Sequence, residues 1–252
     1  MQKLSVAIIT FNEEARIASC LESIKEIADE IIIVDSGSTD QTASISKSLG
    51  AVVITNVFEG YASQKNFALQ QCNYSFVLSL DADERLDKEA IASIKKQKET
   101  GFAYDGYFLK RITYIGETPV KYGSWYPDKK IRLVKKEICV WKGKGVHESL
   151  EVNSTNIFTL DGHIHHYSYK NTGELFEKTR KYANLAANHL HSEGKKVSWI
   201  TIYIKAFSRF FKHYFLKGGI LAGRLGWQIG KQQFLEAKWK YQATYDLRNN
   251  KI

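Results

Sequence analysis

Residues 30–55, EIIIVDSGSTDQTASISKSLGAVVIT, decide the fold class because they join two apolar strands through one short helix. EIIIVD and AVVIT are near-continuous apolar runs, which is typical of strands buried on both faces of a parallel sheet. Between them, a polar turn leads into a helical stretch that ends at Gly50, a residue suited to a helix C-terminus. A strand, a helix and a strand at this spacing predict a parallel α/β unit.

The same alternation continues on both sides of this unit. LSVAIIT (4–10) and SFVLSL (75–80) are two further apolar strands, and YASQKNFALQQ (61–71) is helical in pattern. The first strand is followed by an amphipathic stripe at helical spacing, formed by Ile17, Leu21, Ile24 and Ala28. We therefore expect an α/β fold: a doubly wound, mostly parallel sheet with helices on both faces.

Three of the four strands end on polar side chains. These side chains are Thr10, Asn12 and Glu13 after the first strand, Asp35 and Ser36 after the second, and Asp81 and Asp83 after the fourth. Ligands bind beyond the carboxyl ends of the strands in such sheets, so the clusters predict one site. Alternatively, one of the two aspartates caps the helix that follows in ERLDKEAIASI. A cap needs only one of them.

Motif and composition exclude several classes of protein. VDSGSTD has a single glycine, and neither G-x-G-x-x-G nor G-x-x-x-x-G-K-[ST] occurs, which argues against a Rossmann dinucleotide site and a P-loop. The three cysteines are far apart and form no C-x-x-C pair, which argues against a disulfide framework or zinc site. Because no signal peptide or long apolar run is evident, we expect a cytoplasmic protein.

The basic excess lies in the last third of the chain. Residues 170–252 hold 16 Lys and Arg against 5 Asp and Glu, whereas the whole chain has a net charge of +9. Such an excess indicates an anionic partner, either a membrane surface or a nucleic acid. No RNP-like or KH motif is present, so we expect no nucleic acid.

A helix over residues 198–216 would separate basic from aromatic side chains. Lys205, Arg209 and Lys212 would share one face, opposite a face formed by Tyr203, Phe207, Phe210, Phe211 and Tyr214. This pattern is typical of a helix in the membrane interface. The alternative is a helix that packs on the catalytic domain with its basic side in water.

The order and spacing of several blocks resemble the family 2 glycosyltransferases of the GT-A fold. The blocks are SVAIITFNEE, EIIIVDSGSTDQT, SQKNFAL and LSLDADERL. Further blocks, PDKKIRLVKK, GVHESLE, HHYSY and FFKHYFLKGGILAGRLG, look like the bacterial subgroup that adds glucose to the lipopolysaccharide inner core. The subgroup usually shows Asp-Gly where this chain has Ala222-Gly223.

The resemblance implies the donor site. Its D-x-D motif matches Asp81-Ala82-Asp83, with Asp83 as ligand of Mg²⁺ or Mn²⁺ and Asp81 near the ribose or the metal's waters. Asp35 matches the nucleoside-binding carboxylate. Lys65 stands where an arginine often meets the nucleotide. The same pocket is lined by Thr10, Asn12 and Glu13.

The resemblance also suggests the acceptor side. An inverting transferase needs a base near the acceptor hydroxyl, and Glu148 of KGVHESLE is at the matching position. His147 is the rival base, and Glu137 and Glu151 are weaker ones. Trp125 and Tyr126 are candidates for stacking on the acceptor sugar, and Lys130 and Arg132 for contacting its phosphate.

The stretch DGHIHHYSY contains three histidines that could bind a ligand or a metal ion. On a strand, His163 and His165 share one face and His166 the other. The resemblance places His166 near the diphosphate or metal. A zinc site is not supported, because no cysteine or carboxylate stands at ligand spacing in the sequence.

Four glycines follow the basic helix at spacings of four, three and four: Gly219, Gly223, Gly226 and Gly230. We expect them on one side of a helix, where they allow close approach of another helix. That neighbour is either part of the same chain or a second copy in a homodimer.

Together these features predict a GT-A catalytic domain at 1–170 and a basic, amphipathic helical extension at 171–252. Within the domain, residues 1–100 form the nucleotide-sugar half and 101–170 the acceptor half. The expected function is metal-dependent, inverting transfer of a hexose, glucose by the subgroup resemblance, from a UDP-sugar to a lipid-linked or lipopolysaccharide core saccharide. The enzyme is expected on the inner face of the cytoplasmic membrane. The alternatives are a polyprenyl-phosphate sugar transferase of the same family, a nucleotidyltransferase, or a basic membrane-binding module with a relic fold.

Overall fold

The computed structural model of the protein describes residues 2–143 and 148–249. The chain forms two compact units, and each is described by itself below. Unit 1 comprises Met1–Arg111 and Asp128–His166, and unit 2 comprises Ile112–Pro127 and Tyr167–Ile252.

The strands of the described chain are β1 (Leu4–Thr10), β2 (Glu30–Asp35), β3 (Val52–Thr55), β4 (Phe76–Asp81), β5 (Glu84–Leu86), β6 (Gly106–Ile115), β7 (Thr118–Pro119), β8 (Asp128–Lys135), β9 (Cys139–Lys142), β10 (Ser149–Val152) and β11 (Ile157–Tyr169). The α-helices are α1 (Ile17–Ile24), α2 (Thr42–Ser48), α3 (Tyr61–Gln71), α4 (Lys88–Glu99), α5 (Thr172–Ser192), α6 (Trp199–Phe211) and α7 (Gly223–Arg248).

The strand order confirms the predicted parallel α/β fold. The main sheet runs β3-β2-β1-β4-β8-β6-β11-β5, and its first four strands pair in parallel. Antiparallel pairing begins where β8 joins β4, and β9 and β10 form a separate two-stranded antiparallel sheet. Because β1 lies between β2 and β4, the carboxyl ends of these three strands meet at one edge.

Helices cover both faces of the parallel strands, as predicted. Along β1, Val6 and Ile8 pack into a core with residues of α1 and α4, whereas the intervening Ala7 packs with residues of α3. This separation follows from the alternation of side chains along a strand. Both faces of β1 are therefore buried, which explains its nearly continuous apolar sequence.

Two helix ends follow local sequence signals. Gly50 follows α2 with a φ of +86°, a left-handed conformation that favours glycine. Helix α4 begins at a cap formed by Asp87, whose Oδ1 accepts a hydrogen bond from the backbone N–H of Ala90 at 2.8 Å. Since Asp87 provides this cap, neither Asp81 nor Asp83 is required for it.

Unit 2 is built from helices α5, α6 and α7. Its apolar cluster contains Ile115, Val120, Leu175 and Ile229, and Trp125 packs against this cluster and stacks on Tyr169. The Nε2 of Gln232 on α7 donates to the hydroxyl of Thr179 on α5 at 3.0 Å. Helix α6 is joined to α7 by an ion pair between Arg209 and Glu236. None of the helices within the described residues is long and apolar enough to cross a membrane.

The predicted glycine stripe is only partly on one helix. Gly226 and Gly230 lie on α7, whereas Gly219 lies in a separate 3₁₀ turn over Gly219–Ala222, so that prediction is wrong for Gly219. The 3₁₀ turn ends and α7 begins at Gly223, whose φ is +55°. A Cβ at position 226 would lie 1.8 Å from the carbonyl oxygen of Gly219. These contacts show close approach within one chain, and the homodimer remains a prediction.

The imidazole of His213 fills the space that these glycines leave. It is buried, its Nε2 lies 3.2 Å from the Gly226 carbonyl oxygen, and its Nδ1 lies 3.2 Å from the Ser124 backbone nitrogen. A Cβ at position 219 would lie 2.8 Å from the same ring. Burial lowers the pKa of His213, although the hydrogen bond with the Gly226 carbonyl opposes this shift. Gly219 is therefore needed to seat the neutral imidazole, and Gly226 is needed for the close approach of α7 to the Gly219 backbone.

We expect Gly226→Ala to lower the stability of the protein by about 1–3 kcal/mol, the usual cost of overpacking. Gly230→Ala is the matched control, because its Cβ would meet the side chain of Phe210 at 3.0 Å rather than a carbonyl group. An aromatic ring can shift, and alanine gains up to about 1 kcal/mol over glycine in a helix. The two variants are compared by denaturant unfolding. Equal loss in both, or a larger loss in Gly230→Ala, would contradict the packing described here.

Candidate active site

The carboxyl edge of the parallel strands brings together the residues that the sequence singled out. Thr10 and Asp35 are direct partners in the pairing of β1 with β2, and Asp81 is opposite Ile9 in the pairing of β1 with β4. Thr10 and Asp35 are buried. The hydroxyl oxygen Oγ1 of Thr10 is buried without a hydrogen-bond partner in the described chain. A buried polar atom of this kind is suited to a ligand that enters beside it.

The loops after β1 and β2 are fastened to each other. Asp35 accepts hydrogen bonds from the backbone N–H groups of Gly37 and Ser38, at 3.1 and 2.9 Å, and from the Ser38 hydroxyl. The side-chain oxygen of Asn12 accepts from the backbone N–H of Thr39 at 2.9 Å. The backbone N–H of Glu13 donates to the Thr42 hydroxyl at 2.8 Å, and its carboxylate pairs with Arg16. Asp35, Asn12 and Glu13 thus shape the loop that borders the site.

Asp81 is held between two buried cations. Its Oδ1 lies 2.8 Å from the Nζ of Lys65, and its Oδ2 lies 3.2 Å from an Nη of Arg132. Burial alone would raise the pKa of Asp81, but Lys65 and Arg132 outweigh it and hold that pKa well below the usual range. Asp81 is consequently ionised at every physiological pH.

The ion pairs continue from Arg132 along the sheet. Arg132 also contacts the fully buried carboxylate of Glu84 at 2.9 Å, and Glu84 lies 3.3 Å from Arg111. Arg111 pairs with Asp128 at 2.8 Å, and Asp128 with Lys130 at 3.3 Å. Burial favours a lower pKa for Arg132, but Glu84 and Asp81 raise it overall. The result is a chain of alternating charges, which we call the ion-pair chain.

Three consecutive residues of α3 secure the site. Gln64, which is fully buried, donates to the Ser36 hydroxyl at 3.0 Å and thereby joins α3 to the loop after β2. Lys65 reaches Asp81 on β4. Asn66 exchanges two hydrogen bonds, both 2.9 Å, with the backbone of Trp141 on β9. The helix therefore owes its position to polar contacts as well as to apolar packing.

Glu148 completes the other end of the ion-pair chain. Its Oε1 lies 3.1 Å from the Nζ of Lys65, so Glu148 and Asp81 share one ammonium group. That ammonium also lies 4.4 Å from the centre of the Trp141 ring, a cation–π distance. The second oxygen, Oε2, is buried and has no partner among the residues that the structure describes.

A cavity of about 340 Å³ opens beside this pair of carboxylates. Its wall includes Asp81, Glu148 and Trp141, together with the basic residues Arg111, Lys129, Lys130 and Arg132. An aromatic ring, two carboxylates and several cations form a wall that suits a polar, sugar-sized molecule.

Asp83 and His166 form a second pair near the end of β4. The Nε2 of His166 lies 3.3 Å from the Oδ2 of Asp83. Strand β11 brings them together, because His166 is opposite Glu84 in its pairing with β5. Burial would raise the pKa of Asp83, and so would Asp81, but His166 lowers it overall. An ionised carboxylate and an imidazole nitrogen are ligands that Mn²⁺ accepts, and Mg²⁺ is suited mainly by the carboxylate.

His163 and His165 face a different carboxylate. The ring nitrogens lie 3.3 and 3.6 Å from the Oδ2 of Asp87, so these two histidines share one face of β11, as predicted. Glu89 lies within reach of Asp87 and His163, and these three side chains are close enough to hold a metal ion. This cluster is not evident from the sequence, because its carboxylates are more than 70 positions from His163.

The other candidates for the acceptor side lie in different surroundings from Glu148. Glu151 is half exposed and pairs with Lys142 at 2.8 Å, and Glu137 is exposed in a short 3₁₀ helix. His147 lies outside the described residues. Arg132, a predicted contact for an acceptor phosphate, is only 3% exposed and is paired with Asp81 and Glu84.

Sequence comparison assigns most of the chain to one family. The family model described as Glycosyl transferase family 2 matches residues 5–182. An uncharacterised glycosyltransferase of Rickettsia typhi is 37% identical over 241 residues, which cover 86% of this chain and 80% of the relative. The lipopolysaccharide core biosynthesis glycosyltransferase LpsC of Rhizobium meliloti is 33% identical over 248 residues, or 93% of this chain and 86% of LpsC.

Among solved structures, glucosyl-3-phosphoglycerate synthase of Mycobacterium tuberculosis, in complex with Mn²⁺, UDP and glucosyl-3-phosphoglycerate, aligns with a TM-score of 0.38. The alignment covers 45% of this chain and 44% of that protein, at 25% identity.

We expect Glu84→Gln to destabilise the protein by about 3–5 kcal/mol, because it leaves the buried Arg132 and the partly buried Arg111 short of a negative charge. Glu151→Gln is the matched control: the same substitution removes an exposed ion pair, which is worth at most about 1 kcal/mol. Denaturant unfolding of both variants measures the difference. A loss below about 1 kcal/mol for Glu84→Gln would show that the ion-pair chain does not stabilise the fold.

Proposed function

Because this chain belongs to glycosyl transferase family 2, we propose that it transfers a hexose, glucose in the first instance, from a UDP-sugar to a saccharide acceptor. The acceptor that we propose is a lipid-linked or lipopolysaccharide core saccharide. The similarity to LpsC over 93% of the chain supports this class of acceptor. Transfer proceeds with inversion at the anomeric carbon and depends on a divalent metal ion.

The observation that carries the proposal is the position of Glu148. Its Oε1 and the Oδ1 of Asp81 bind the same Lys65 ammonium, so a carboxylate of the acceptor side is tied to the D-x-D motif of the donor side. Both carboxylates line one cavity. A hydroxyl that enters this cavity would meet a negatively charged base close to the donor.

We assign the role of general base to Glu148. Lys65 fixes one oxygen of its carboxylate, and Oε2 is then the atom that takes the proton from the acceptor hydroxyl. The hydroxyl oxygen forms the new bond to the anomeric carbon as the bond between that carbon and the diphosphate breaks. Attack from the face opposite the departing UDP inverts the configuration.

We assign the metal site to Asp83 and His166. When bound there, a divalent ion would act as a Lewis acid that stabilises the negative charge of the departing diphosphate. Asp83 is ionised because His166 lowers its pKa despite burial, which suits it to this role. Asp81 is engaged by Lys65 and Arg132, so we assign it to contacts with the ribose or with metal-bound water.

The nucleoside pocket is assigned to the loops after β1 and β2. Three hydrogen bonds from Gly37 and Ser38 orient the Asp35 carboxylate, which is suited to accept from the uracil or ribose. Thr10, Asn12 and Glu13 line the same edge. The buried Oγ1 of Thr10, which lacks a described partner, supports a ligand in this position.

We further propose that residues 1–170 form the catalytic domain and residues 171–252 an extension that holds the enzyme on the inner face of the cytoplasmic membrane. The surplus of 16 basic over 5 acidic residues in 170–252 supports attraction to an anionic surface.

A donor screen is the direct test of the proposed activity. UDP-, GDP- and dTDP-hexoses are compared for thermal stabilisation of the protein with and without Mn²⁺. A donor at 100 times its Kd stabilises by about 2.7 kcal/mol, which such a measurement detects readily. Stabilisation by UDP-glucose that requires Mn²⁺ is the expected result. Preference for a GDP- or dTDP-hexose would overturn the assignment of the donor.

We expect Asp83→Asn to abolish the Mn²⁺-dependent part of UDP binding, because the amide carries no charge for the metal ion. Asp87→Asn is the matched control. Asparagine keeps the helix cap at position 87, and the control removes a carboxylate from the second acidic cluster. Calorimetric titration of both variants with UDP, with and without Mn²⁺, separates the two sites. Loss of metal dependence in Asp87→Asn alone would move the metal site to Asp87, Glu89 and His163.

We expect Glu148→Gln to reduce transfer by about 10²–10⁴-fold, the usual worth of a general base, and to leave UDP affinity nearly unchanged. Glutamine keeps the size of the side chain but accepts no proton. Turnover is measured with radiolabelled UDP-glucose as donor and lipopolysaccharide core saccharide as acceptor. The affinity for UDP is measured on the same preparation of the protein. Glu151→Gln serves as the control and should transfer normally. Retention of more than about a tenth of the wild-type rate would direct attention to His147.

A further inference from the structure

Helix α6 carries an apolar stripe that α7 covers only in part: the ring of Phe207 meets Phe234 edge to face, with 5.0 Å between the ring centroids. Ile202, Ala206 and His213 form the buried side of α6 and the segment after it, which contacts α7. The opposite side is exposed: Ile200, Ile204, Phe207, Phe211 and Phe215 recur at spacings of four, three, four and four and are 51–61% exposed. At 100° per residue these side chains form one stripe along the helix.

The turn between α6 and α7 extends this apolar surface. A π-helical segment (Lys212–Leu216) and the 3₁₀ turn Gly219–Ala222 connect the two helices. Leu216 and Leu221 are each 70% exposed, and Ile220 is 50% exposed. Trp227 of α7 contacts Phe210 and Tyr214 and is itself 53% exposed.

The exposed apolar surface is large. Eleven large apolar side chains between positions 199 and 227 are more than two-fifths exposed, and we call them the apolar surface: Trp199, Ile200, Tyr203, Ile204, Phe207, Phe211, Phe215, Leu216, Ile220, Leu221 and Trp227. At about 100 Å² for each half-exposed side chain, they present about 1,000 Å². The largest apolar patch of a typical soluble monomer is about 300–600 Å².

The charged residues within the segment that carries this surface have one sign, although Glu236 of α7 pairs with Arg209 of α6. The segment between Glu193 and Glu236 contains eight Lys and Arg residues and no Asp or Glu. Lys205 and Lys212 are exposed beside the stripe, and Lys217 is exposed within the turn. A second protein as partner would need to match both an apolar face and an unbroken basic border. An anionic lipid leaflet offers both, since phosphate groups border its hydrocarbon region.

We infer that the apolar surface inserts into the hydrocarbon boundary of an anionic lipid leaflet while the flanking lysines contact lipid phosphates. Helix α6 would lie in the plane of the leaflet, and the turn with Leu216 and Leu221 would enter the acyl region. This inference rests on the proposed function, because insertion would give the enzyme access to a lipid-linked acceptor. It goes beyond electrostatic adsorption, because the apolar side chains themselves leave water.

Flotation with vesicles tests the inference on the full chain. Vesicles of phosphatidylcholine containing phosphatidylglycerol should bind the protein, and pure phosphatidylcholine should bind it more weakly. The double variant Leu216→Ser, Leu221→Ser should bind about tenfold more weakly or worse, because two exposed leucines no longer enter the leaflet. The control Val57→Ser, Leu185→Ser removes side chains that are 80% and 55% exposed elsewhere. It should bind as wild type.

Two further measurements separate insertion from adsorption. Lys205→Gln, Lys212→Gln should lose about tenfold in binding to anionic vesicles, whereas the equally charged control Lys47→Gln, Lys96→Gln should not. Lipids brominated on the acyl chain should quench tryptophan fluorescence, and the quenching should fall in Trp199→Phe, Trp227→Phe. Vesicle binding without such quenching would reduce the surface to an electrostatic contact and overturn insertion.

Other outcomes distinguish this inference from the proposed function. Wild-type binding by the Leu216, Leu221 variant would overturn the inference. So would a concentration-dependent dimer that this variant abolishes without affecting vesicle binding, because the apolar surface would then join two copies. Mn²⁺-dependent UDP stabilisation is measured on every variant. If it is absent in wild type while vesicles bind, the proposed function fails and the insertion stands.

Discussion

A partly buried carboxylate at the end of β4 is the constraint on which the catalytic unit depends. Asp81 ends an apolar strand with its side chain only 24% exposed, and a negative charge so far removed from water is costly unless cations neutralise it. Lys65 and Arg132 provide them, and Arg132 in turn needs Glu84, which pairs with Arg111. Each charge thus requires the next along the ion-pair chain, from Glu148 to Lys130. Residues of α3, β4, β5, β6 and β8 are held in register by this requirement.

The same constraint positions the proposed chemistry. Lys65 is 2% exposed and contacts Asp81, Glu148 and the Trp141 ring, so it cannot move without leaving charges unpaired. A base that is attached to so rigid a partner is held in place before any substrate arrives, which is how a site avoids reorganisation during reaction. Asp83 stands outside the ion-pair chain and contacts His166. This division leaves Asp81 as a structural charge and Asp83 as the carboxylate suited to a metal ion.

Unit 2 differs from unit 1 in the kind of side chain that it exposes. In unit 1 the charges of Lys65, Glu84 and Arg132 are buried and paired. In unit 2 the segment from Trp199 to Trp227 exposes apolar side chains among exposed lysines. Gly219 and Gly226 allow the backbone to fold tightly around His213, and the apolar residues of the turn consequently point outward. Exposed phenylalanines beside basic side chains suit contact with a lipid surface better than contact with water alone.

The sequence by itself determined the fold class, because apolar strands and helical stripes alternate at local spacings that need no long-range information. It also determined the polar strand ends, since the carboxyl ends of parallel strands meet at one edge whatever else surrounds them, and the family emerged from the same blocks. Only the tertiary structure decided which charges pair. From the sequence, Glu84 belongs to the start of a helix, Arg111 stands in no motif, Asp128 stands in a block that indicates only the family resemblance, and Arg132 is predicted to contact a phosphate. Their roles follow from β5, β6 and β8 lying together, and strand order is a long-range property. The same holds for Asp87 beside His163. It also holds for the aromatic residues of α6, which periodicity placed on one face: only packing against α7 decided that Phe207 contacts Phe234 and Phe210 contacts Trp227, whereas Phe211 is left exposed.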